Sequence, residues 1–245
     1  MNIQRIYLLD KLIDLIWPRN CEVCGRVVDR PRRYICSDCL NRLPLVQVNG
    51  CCRQCGRPAE KLDGEFLCED CRTHHPKFDR VASAFYFENE TREMVNAFKF
   101  RNHYWLRDDF VDWLEGTVRA RFRVDEIEGV LPMPSTLWHR LDRGYNQCVY
   151  LTKALAKRIN RPYLRGVLWR AGNPKRQGGL NEHDRRTNIK GTFAVHRPQL
   201  IRKKTILVVD DILTTGSTLS ECAAELKQAG ARRVWCVTLA RSHRS

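Results

Sequence analysis

Two adjacent aspartates and a run of hydroxyl side chains occur together in residues 206–219, which read ILVVDDILTTGSTL. Asp210 and Asp211 offer paired hydrogen-bond acceptors, which suit the cis 2- and 3-hydroxyls of a ribose. The residues after them carry hydroxyls and a glycine at the predicted start of a helix, where backbone N–H groups bind anions. These residues are Thr214, Thr215, Gly216, Ser217 and Thr218. Sugar acceptors followed by a phosphate cradle predict a 5-phosphoribosyl ligand, and the Gly-Lys-Ser or Gly-Lys-Thr ending of a Walker A loop is absent.

The acids need a strand to position them, and the apolar run 206–209 indicates a strand that is buried on both faces of a parallel sheet. We therefore expect this strand to be central, with the acids beyond its carboxyl end, where open α/β sheets bind their ligands. Strands and helices in alternation predict a doubly wound parallel sheet with right-handed crossovers. The other predicted strands are 81–86, 130–133, 164–170 and 234–239, the last closing the sheet, and the predicted helices are 92–98, 106–118, 146–159 and 219–229.

Nine of the twelve cysteines fall between Cys21 and Cys71, and eight of these nine form four Cys-x-x-Cys pairs. The second half repeats the first at a shift of 31 or 32 residues, which indicates a duplication. A glycine, Gly25 or Gly56, follows the first pair of each half, which leaves Cys51 as the spare cysteine. The pairs are Cys21 with Cys24, Cys36 with Cys39, Cys52 with Cys55, and Cys68 with Cys71.

We expect these eight thiolates to hold two structural zinc ions. Four thiolates close the coordination sphere of zinc, and about fifty residues have too little core to fold readily without a metal. Disulfides are the alternative, but the isolated Cys148, Cys222 and Cys236 and the lack of an export signal favour a reducing compartment. The spacing favours zinc binding within each half over a cross-braced arrangement but does not decide between them.

The segment 206–219 resembles the phosphoribosyl diphosphate motif of type I phosphoribosyltransferases. Two further segments narrow the resemblance to the ComF-type competence proteins. Residues 131–147, LPMPSTLWHRLDRGYNQ, resemble that family's strand and pyrophosphate-facing loop, and residues 177–193, QGGLNEHDRRTNIKGTF, resemble its mobile loop. The resemblance implies an α/β fold: a type I phosphoribosyltransferase-like doubly wound parallel sheet with a hood, preceded by a small zinc-ribbon domain with four-cysteine sites.

This resemblance divides the chain into an amphipathic helix (1–18), a double zinc ribbon (19–72), a hood (73–129) and a phosphoribosyltransferase-like core (130–245). It implies phosphoribosyl diphosphate with Mg²⁺ as the ligand, with Asp210 and Asp211 as catalytic residues if the protein is active. Ser135, Thr136 and Arg143 join the acids and the hydroxyl turn in binding it. Any reaction would displace pyrophosphate from the anomeric carbon, with cations stabilising the developing charge. The expected further cations of the loops and hood are Arg140, Lys175, Arg176, Arg185, Arg186, Lys99 and Arg101.

The formal net charge is +15, and the excess lies in residues 130–209, where 17 basic residues stand against 3 acidic ones. A sugar diphosphate with Mg²⁺ needs few of them, so the surplus predicts a footprint for a nucleic-acid backbone. Trp138, Tyr145 and Trp169 are interleaved and could stack on unpaired bases, which favours single-stranded DNA. The alternative is a solvated basic surface with core aromatics.

The first seventeen residues form an amphipathic pattern that is interrupted by Asp10, Lys11 and Asp14 and has no cleavage site for secretion. We expect this helix to dock on its own protein, with attachment to a membrane surface as the alternative. No transmembrane segment is predicted. Because the isolated cysteines favour a reducing compartment, we expect a cytoplasmic location, with peripheral attachment at the inner membrane as its variant.

The sequence thus predicts a phosphoribosyl diphosphate-binding protein, and the resemblance implies a role in DNA uptake and natural transformation through the handling of single-stranded DNA. One alternative is an active phosphoribosyltransferase of nucleotide salvage, although no acceptor-reading residues stand out. Another is a zinc-ribbon module that recruits DNA-uptake or recombination proteins and has an idle sugar-phosphate site.

Overall fold

The computed structural model describes residues 18–30, 33–47, 50–58, 66–135, 146–170 and 191–242, so nearly all of the predicted amino-terminal helix lies outside the described residues. The helices are α1 (Ser37–Arg42), α2 (Glu69–His74), α3 (Asn89–Phe100), α4 (Arg107–Arg121), α5 (Gln147–Arg158) and α6 (Ser217–Gln228). The strands are β1 (Arg80–Tyr86), β2 (Gly129–Pro132), β3 (Leu168–Arg170), β4 (Phe193–Val195), β5 (Thr205–Leu213) and β6 (Arg233–Arg241). Short 3-10 turns cover Tyr104–Leu106, Val124–Glu126 and Pro198–Leu200.

The main sheet has four parallel strands in the order β1-β6-β5-β2. Strand β5 is interior, and its alternate residues face two separate cores. Leu207 and Val209 pack with α3, α4 and α5 on one face, whereas Ile206 and Val208 pack with α6 on the other. The predicted doubly wound parallel sheet with a central β5 is therefore confirmed.

The prediction that residues 234–239 close the sheet is wrong. Strand β6 lies between β5 and β1, because β1 pairs with it in parallel from Arg80↔Trp235 to Tyr86↔Arg241. The segment 73–129, which was expected to form the hood, therefore also supplies an edge strand of the main sheet. This pairing joins residues about 155 positions apart in the chain, so no local pattern reveals it.

The predicted strand 164–170 is shorter than expected and belongs to a different sheet. Tyr163 makes only an isolated parallel bridge with Val130 of β2. Gly166 then adopts a left-handed conformation (φ +66°), which turns the chain before β3 begins at Leu168. Strand β3 pairs antiparallel with β4 in a separate two-stranded sheet.

Helices α3, α4, α5 and α6 coincide with the four predicted helices, and each observed end lies within three residues of the predicted one. Helix α6 buries Leu219, Cys222, Ala223 and Leu226 at intervals of three and four residues. Each such leucine contributes about 1.5–3 kcal/mol by leaving water. None of the helices among the described residues is long and apolar enough to cross a membrane.

Both cysteine-rich halves pack on the α/β core. Asp109 of α4 is 1% exposed and accepts the N–H of Tyr34 at 2.9 Å, and it lies 3.3 Å from Arg30 Nη1. Burial raises the pKa of Asp109 to about 6, and these two partners oppose the increase. In the second half, the buried Arg241 donates from Nη1 to the carbonyl oxygen of Cys55 at 2.9 Å. Polar contacts therefore fix each half against the sheet or its helices.

Candidate sugar-phosphate site and zinc sites

The two adjacent acids lie within β5, because this strand continues to Leu213 in register with β6 instead of ending before them. On the other side, β2 ends at Pro132, opposite Val209. Asp210 and Asp211 therefore have a strand neighbour on one side only, and both are partly exposed. This one-sided extension opens the crevice that was expected at the carboxyl edge of the sheet.

A lysine from the end of α3 lies against the second acid. Lys99 Nζ is 2.7 Å from Asp211 Oδ1, and the two side chains are only 14% and 17% exposed. Gln147 donates from Nε2 to the carbonyl oxygen of Lys99 at 3.0 Å, which ties the end of α3 to the start of α5. Arg101, the other cation expected from this segment, instead forms an exposed ion pair with Glu93 at 3.3 Å.

The first acid faces a buried thiol. Cys148 Sγ lies 3.6 Å from Asp210 Oδ1, and burial holds the pKa of this thiol well above its usual range, so it is a neutral donor. Burial, and next the charge of Asp211, raises the pKa of Asp210 to about 7. The N–H of Asp211 and the ammonium of Lys99 oppose this increase. Asp210 therefore titrates near neutral pH and is sensitive to any cation that enters the site.

The donor set at the acids suits magnesium in part. Cys148, Asp210 and Asp211 each place one ligand atom within 4.8 Å of the others. Magnesium prefers oxygen ligands and is usually held by one or two carboxylates together with water and substrate phosphates. A protonated thiol is not such a ligand. The two carboxylates thus fit Mg²⁺, and the thiol serves as a hydrogen-bond donor beside them.

A tight turn joins β5 to α6 and contains the predicted phosphate cradle. Gly216 caps the helix at φ +77°, a left-handed conformation that disfavours any side chain. Thr215 Oγ1 lies 2.8 Å from Ser217 Oγ and accepts the N–H of Ser217 at 3.4 Å. Thr214 is exposed, and Ser217 and Thr218 are partly exposed in the first turn of α6. Hydroxyls and the positive end of a helix thus meet at one accessible place.

The end of β2 leads to the next predicted residue of the site. The hydroxyl of Ser135 is buried, and the described residues supply no hydrogen-bond partner for it. Asn146 donates from Nδ2 to the carbonyl oxygen of Met133 at 3.1 Å and caps α5 by accepting the N–H of Cys148 at 2.9 Å. Asn146 thereby fixes the start of α5 relative to the end of β2.

The eight paired cysteines form two clusters, one in each half of the repeat, and within each cluster the sulfur atoms lie within 4.8 Å of one another. Four thiolates at this separation suit a tetrahedral zinc ion, so the geometry favours zinc binding within each half rather than across the halves. Gly25 and Gly56 both adopt the left-handed conformation (φ +72° and +71°). Cys51 belongs to neither cluster, and its thiol donates to the carbonyl oxygen of Gln47 at 3.0 Å. The clusters are Cys21, Cys24, Cys36 and Cys39, and Cys52, Cys55, Cys68 and Cys71.

Comparison with known proteins shows which family combines these two kinds of site. A double zinc ribbon domain matches residues 12–72, and a phosphoribosyl transferase domain matches residues 146–245. Competence protein F of Haemophilus influenzae is 28% identical over 227 residues, covering 91% of this chain and 96% of that protein. DNA utilization protein YhgH of Salmonella typhi is 27% identical, covering 90% and 96%. Competence protein ComFC of Streptococcus pneumoniae is 24% identical, covering 84% and 87%. The chain is a member of the ComF family.

Part of the predicted site of this ComF protein lies outside the described residues. This applies to residues after β2 that were expected to face pyrophosphate, to the cations of the predicted mobile loop, and to two of the three aromatics. They are Thr136, Arg140, Arg143, Lys175, Arg176, Arg185, Arg186, Trp138 and Tyr145.

Two residues near the acids of the ComF site escaped the sequence reasoning. Cys148 is one, and Arg170 at the end of β3 is the other. The guanidinium of Arg170 lies 5.5 Å from the ring centre of Phe193, and its buried Nε–H has no acceptor among the described residues. Burial lowers the pKa of Arg170, and the charge of Asp210 opposes the decrease. The sequence signal that could have identified Arg170 was its position between a predicted strand and the basic segment that follows.

Proposed function

We propose that this ComF protein binds phosphoribosyl diphosphate with Mg²⁺ at the acids of β5 and the turn that follows. The observation that carries the proposal is the pairing of two carboxylates, Asp210 and Asp211, with a hydroxyl-rich turn that begins three residues after Asp211 and leads into α6. The carboxylates would accept the ribose hydroxyls or hold Mg²⁺, and the turn from Thr214 to Thr218 would bind the 5-phosphate.

The cations around the acids support an anionic ligand. Lys99 neutralises Asp211, and the charge of Asp210 acts on the guanidinium of Arg170. The hydroxyl of Ser135, three residues after the end of β2, has no hydrogen-bond partner among the described residues, and the resemblance implies the pyrophosphate on this side. Arg143, Arg185 and Arg186 are proposed to neutralise the diphosphate from the loops.

The chemistry that such a site can perform is displacement of pyrophosphate from the anomeric carbon. Bound Mg²⁺ would supply charge neutralisation on the leaving group. The protein's own residues would orient the sugar through its hydroxyls and add positive charge near the departing pyrophosphate. Release of pyrophosphate on addition of a nucleobase would identify a transferase, and saturable binding without release would identify a binding protein.

We further propose that the protein contributes to DNA uptake by handling single-stranded DNA. The names of its relatives, competence protein F and DNA utilization protein, support the first part. The basic segment 130–209 supports the second, as do two aromatics within it, because Tyr150 and Trp169 are half exposed rather than buried in a core. A cytoplasmic location is proposed with it, because reduced thiolates are required to hold zinc.

Fluorescence titration with a labelled single strand tests the DNA proposal. Replacing Arg143, Arg185 and Arg186 by glutamine should weaken binding and flatten its dependence on salt, because each released phosphate contact contributes to the slope. A matched control replaces three exposed arginines of the preceding segment by glutamine: Arg107, Arg119 and Arg123. Equal effects of the two triple variants would refute a localised DNA footprint.

A further inference from the structure

A glutamate of the first zinc knuckle (residues 21–25) contacts the hood turn, residues 101–105, which follows α3. Both carboxylate oxygens of Glu22 have partners in this turn. His103 Nδ1 lies 2.9 Å from Oε2, and Trp105 donates from Nε1 to Oε1 at 2.6 Å. The rings of His103 and Trp105 stack on each other with their centres 4.6 Å apart. Glu22 therefore holds the hood turn at two points, and hydrogen bonds to a carboxylate are among the stronger ones.

The knuckle that carries Glu22 is itself fixed to the α/β core. The N–H of Glu22 donates to the carbonyl oxygen of Tyr34 at 2.9 Å, and the N–H of Tyr34 donates to the buried Asp109 of α4 at 2.9 Å. The ring of Tyr34 also lies 5.8 Å from the ring of Trp105. Glu22 is thus a fixed point to which the hood turn is attached.

The hood turn connects this fixed point to the sugar-diphosphate site. The N–H groups of Arg101 and His103 both donate to the carbonyl oxygen of Ala97, at 2.9 and 3.4 Å, so the hood turn continues directly from the end of α3. The last turn of α3 carries Lys99, whose ammonium lies 2.7 Å from Asp211 Oδ1. The position of Lys99 therefore depends on how the hood turn is held.

The two halves of the cysteine repeat differ at the position of Glu22. Arg53 is its counterpart at a shift of 31 residues, and the N–H of Arg53 makes the equivalent hydrogen bond, to the carbonyl oxygen of Phe66 at 3.0 Å. Arg53 is exposed, whereas the side chain of Glu22 is only 18% exposed. The backbone of the knuckle is thus repeated, but the acid is not. This difference favours a specific role for Glu22, because four thiolates suffice to hold a structural zinc ion.

We propose that Glu22 is a positioning residue of the sugar-diphosphate site, because it fixes the hood turn and thereby holds the ammonium of Lys99 beside Asp211. The inference rests on the proposed function and gives the first zinc half a part in it. Without this support, Lys99 is no longer preorganised at the acids. Binding of an anionic ligand must then order this side chain, which lowers the affinity.

Chemical labelling of lysines in the ligand-free, zinc-loaded protein tests the proposal. A water-soluble amine-reactive ester modifies the ammonium groups, and mass spectrometry of the peptides gives the rate of labelling at each lysine. Glu22→Ala should raise the rate at Lys99, whose side chain is 14% exposed, by at least about threefold. The exposed Lys157, and Lys227, which pairs with Asp79 at 2.8 Å, are internal references whose rates should not change. General destabilisation would raise the rate at Lys227 as well.

Two variants provide matched controls. Arg53→Ala truncates the counterpart of Glu22 in the second half and should leave the rate at Lys99 unchanged. Glu22→Gln keeps the shape of the side chain and an acceptor for Trp105, so it should restore most of the protection of Lys99.

The zinc content of each variant, measured by mass spectrometry under native conditions, shows whether the knuckle is retained. If Glu22→Ala loses the first zinc ion, the pair His103→Leu and Trp105→Phe provides the same test, because it removes the partners of Glu22 and leaves the knuckle unchanged. Selective labelling of Lys99 that Glu22→Gln reverses supports the proposal. An unchanged rate at Lys99, an equal increase at Lys227, or the same increase in Arg53→Ala would overturn it.

Calorimetry with phosphoribosyl diphosphate and Mg²⁺ separates this inference from the proposed function. Glu22→Ala and Lys99→Met should each weaken binding by about fivefold. The double variant should bind no more weakly than Lys99→Met, because Glu22 acts through Lys99, and additive losses would overturn the proposal. Failure of the wild-type protein to bind phosphoribosyl diphosphate would refute the proposed function, and the labelling rates would then decide the role of Glu22 on their own.

Discussion

Replacing Asp210 by asparagine should stabilise the ligand-free protein, although it removes a residue of the proposed site. The pKa of Asp210 is raised from 3.8 to about 7 by burial and by the charge of Asp211. At about 1.4 kcal/mol for each pH unit, ionised Asp210 costs the folded state roughly 4 kcal/mol above pH 7. Asparagine has the same shape, carries no charge and retains an oxygen that can accept the N–H of Asp211, which lies 2.9 Å from Asp210 Oδ1.

The raised pKa of Asp210 determines how the stability difference between the two proteins changes with pH. Because the pKa is higher in the folded state than in the unfolded state, the cost is absent below about pH 4, grows as the pH rises, and is complete above pH 7. The stability advantage of Asp210→Asn over the wild type should therefore increase by about 1.4 kcal/mol between pH 6 and pH 8.5. Urea unfolding of both zinc-loaded proteins at several pH values measures this difference, and titrations common to both proteins cancel.

The neighbouring acid provides the matched control. Asp211→Asn removes the partner of the largely buried Lys99, so it should destabilise the protein by about 1–2 kcal/mol. A destabilising Asp210→Asn, or an advantage that does not change with pH, would refute this electrostatic description of the acids.

Three further predictions concern the zinc halves and their contacts. In thermal unfolding, Gly56→Ala should lower the stability by about 1–2 kcal/mol more than Gly25→Ala. Both glycines have a left-handed backbone, but only at Gly56 does the new Cβ approach a carbonyl oxygen, at 3.1 Å. Equal losses of stability in the two variants would contradict this prediction. Asp109→Ala should cost about 3 kcal/mol in urea unfolding, because it leaves the N–H of Tyr34 and nearby arginines without their buried acceptor, and a loss below about 1 kcal/mol would count against that role. Cys55→Ser should lower the zinc content, measured by mass spectrometry under native conditions, from two ions to one, and retention of both would disprove its assignment as a ligand.

The fold could be predicted where the determinants are local. The apolar run 206–209 identifies the buried strand because it lacks the alternation of a half-exposed one, and the buried positions of α6 recur at helical spacing. The repeated Cys-x-x-Cys pairs predict two four-thiolate clusters. The choice between pairing within halves and across them needed the structure, because the spacers in the two arrangements are similar in length.

The remaining features depend on contacts between distant parts of the chain. Strand β1 forms the edge of the main sheet beside β6, and Lys99 contacts Asp211, which lies more than a hundred residues further along the chain. The charge of Asp210 acts on Arg170, although β3 belongs to a different sheet. None of these has a periodic pattern in the sequence, because each is a consequence of how the crossovers fold back on the sheet.

Calorimetric titration of the zinc-loaded protein with phosphoribosyl diphosphate in the presence of Mg²⁺ tests the central proposal most directly. We predict saturable binding of one molecule per chain that requires Mg²⁺ and is lost when Asp210 and Asp211 are both replaced by asparagine. No heat of binding in the folded wild-type protein, or undiminished binding in the double variant, would contradict the proposed site.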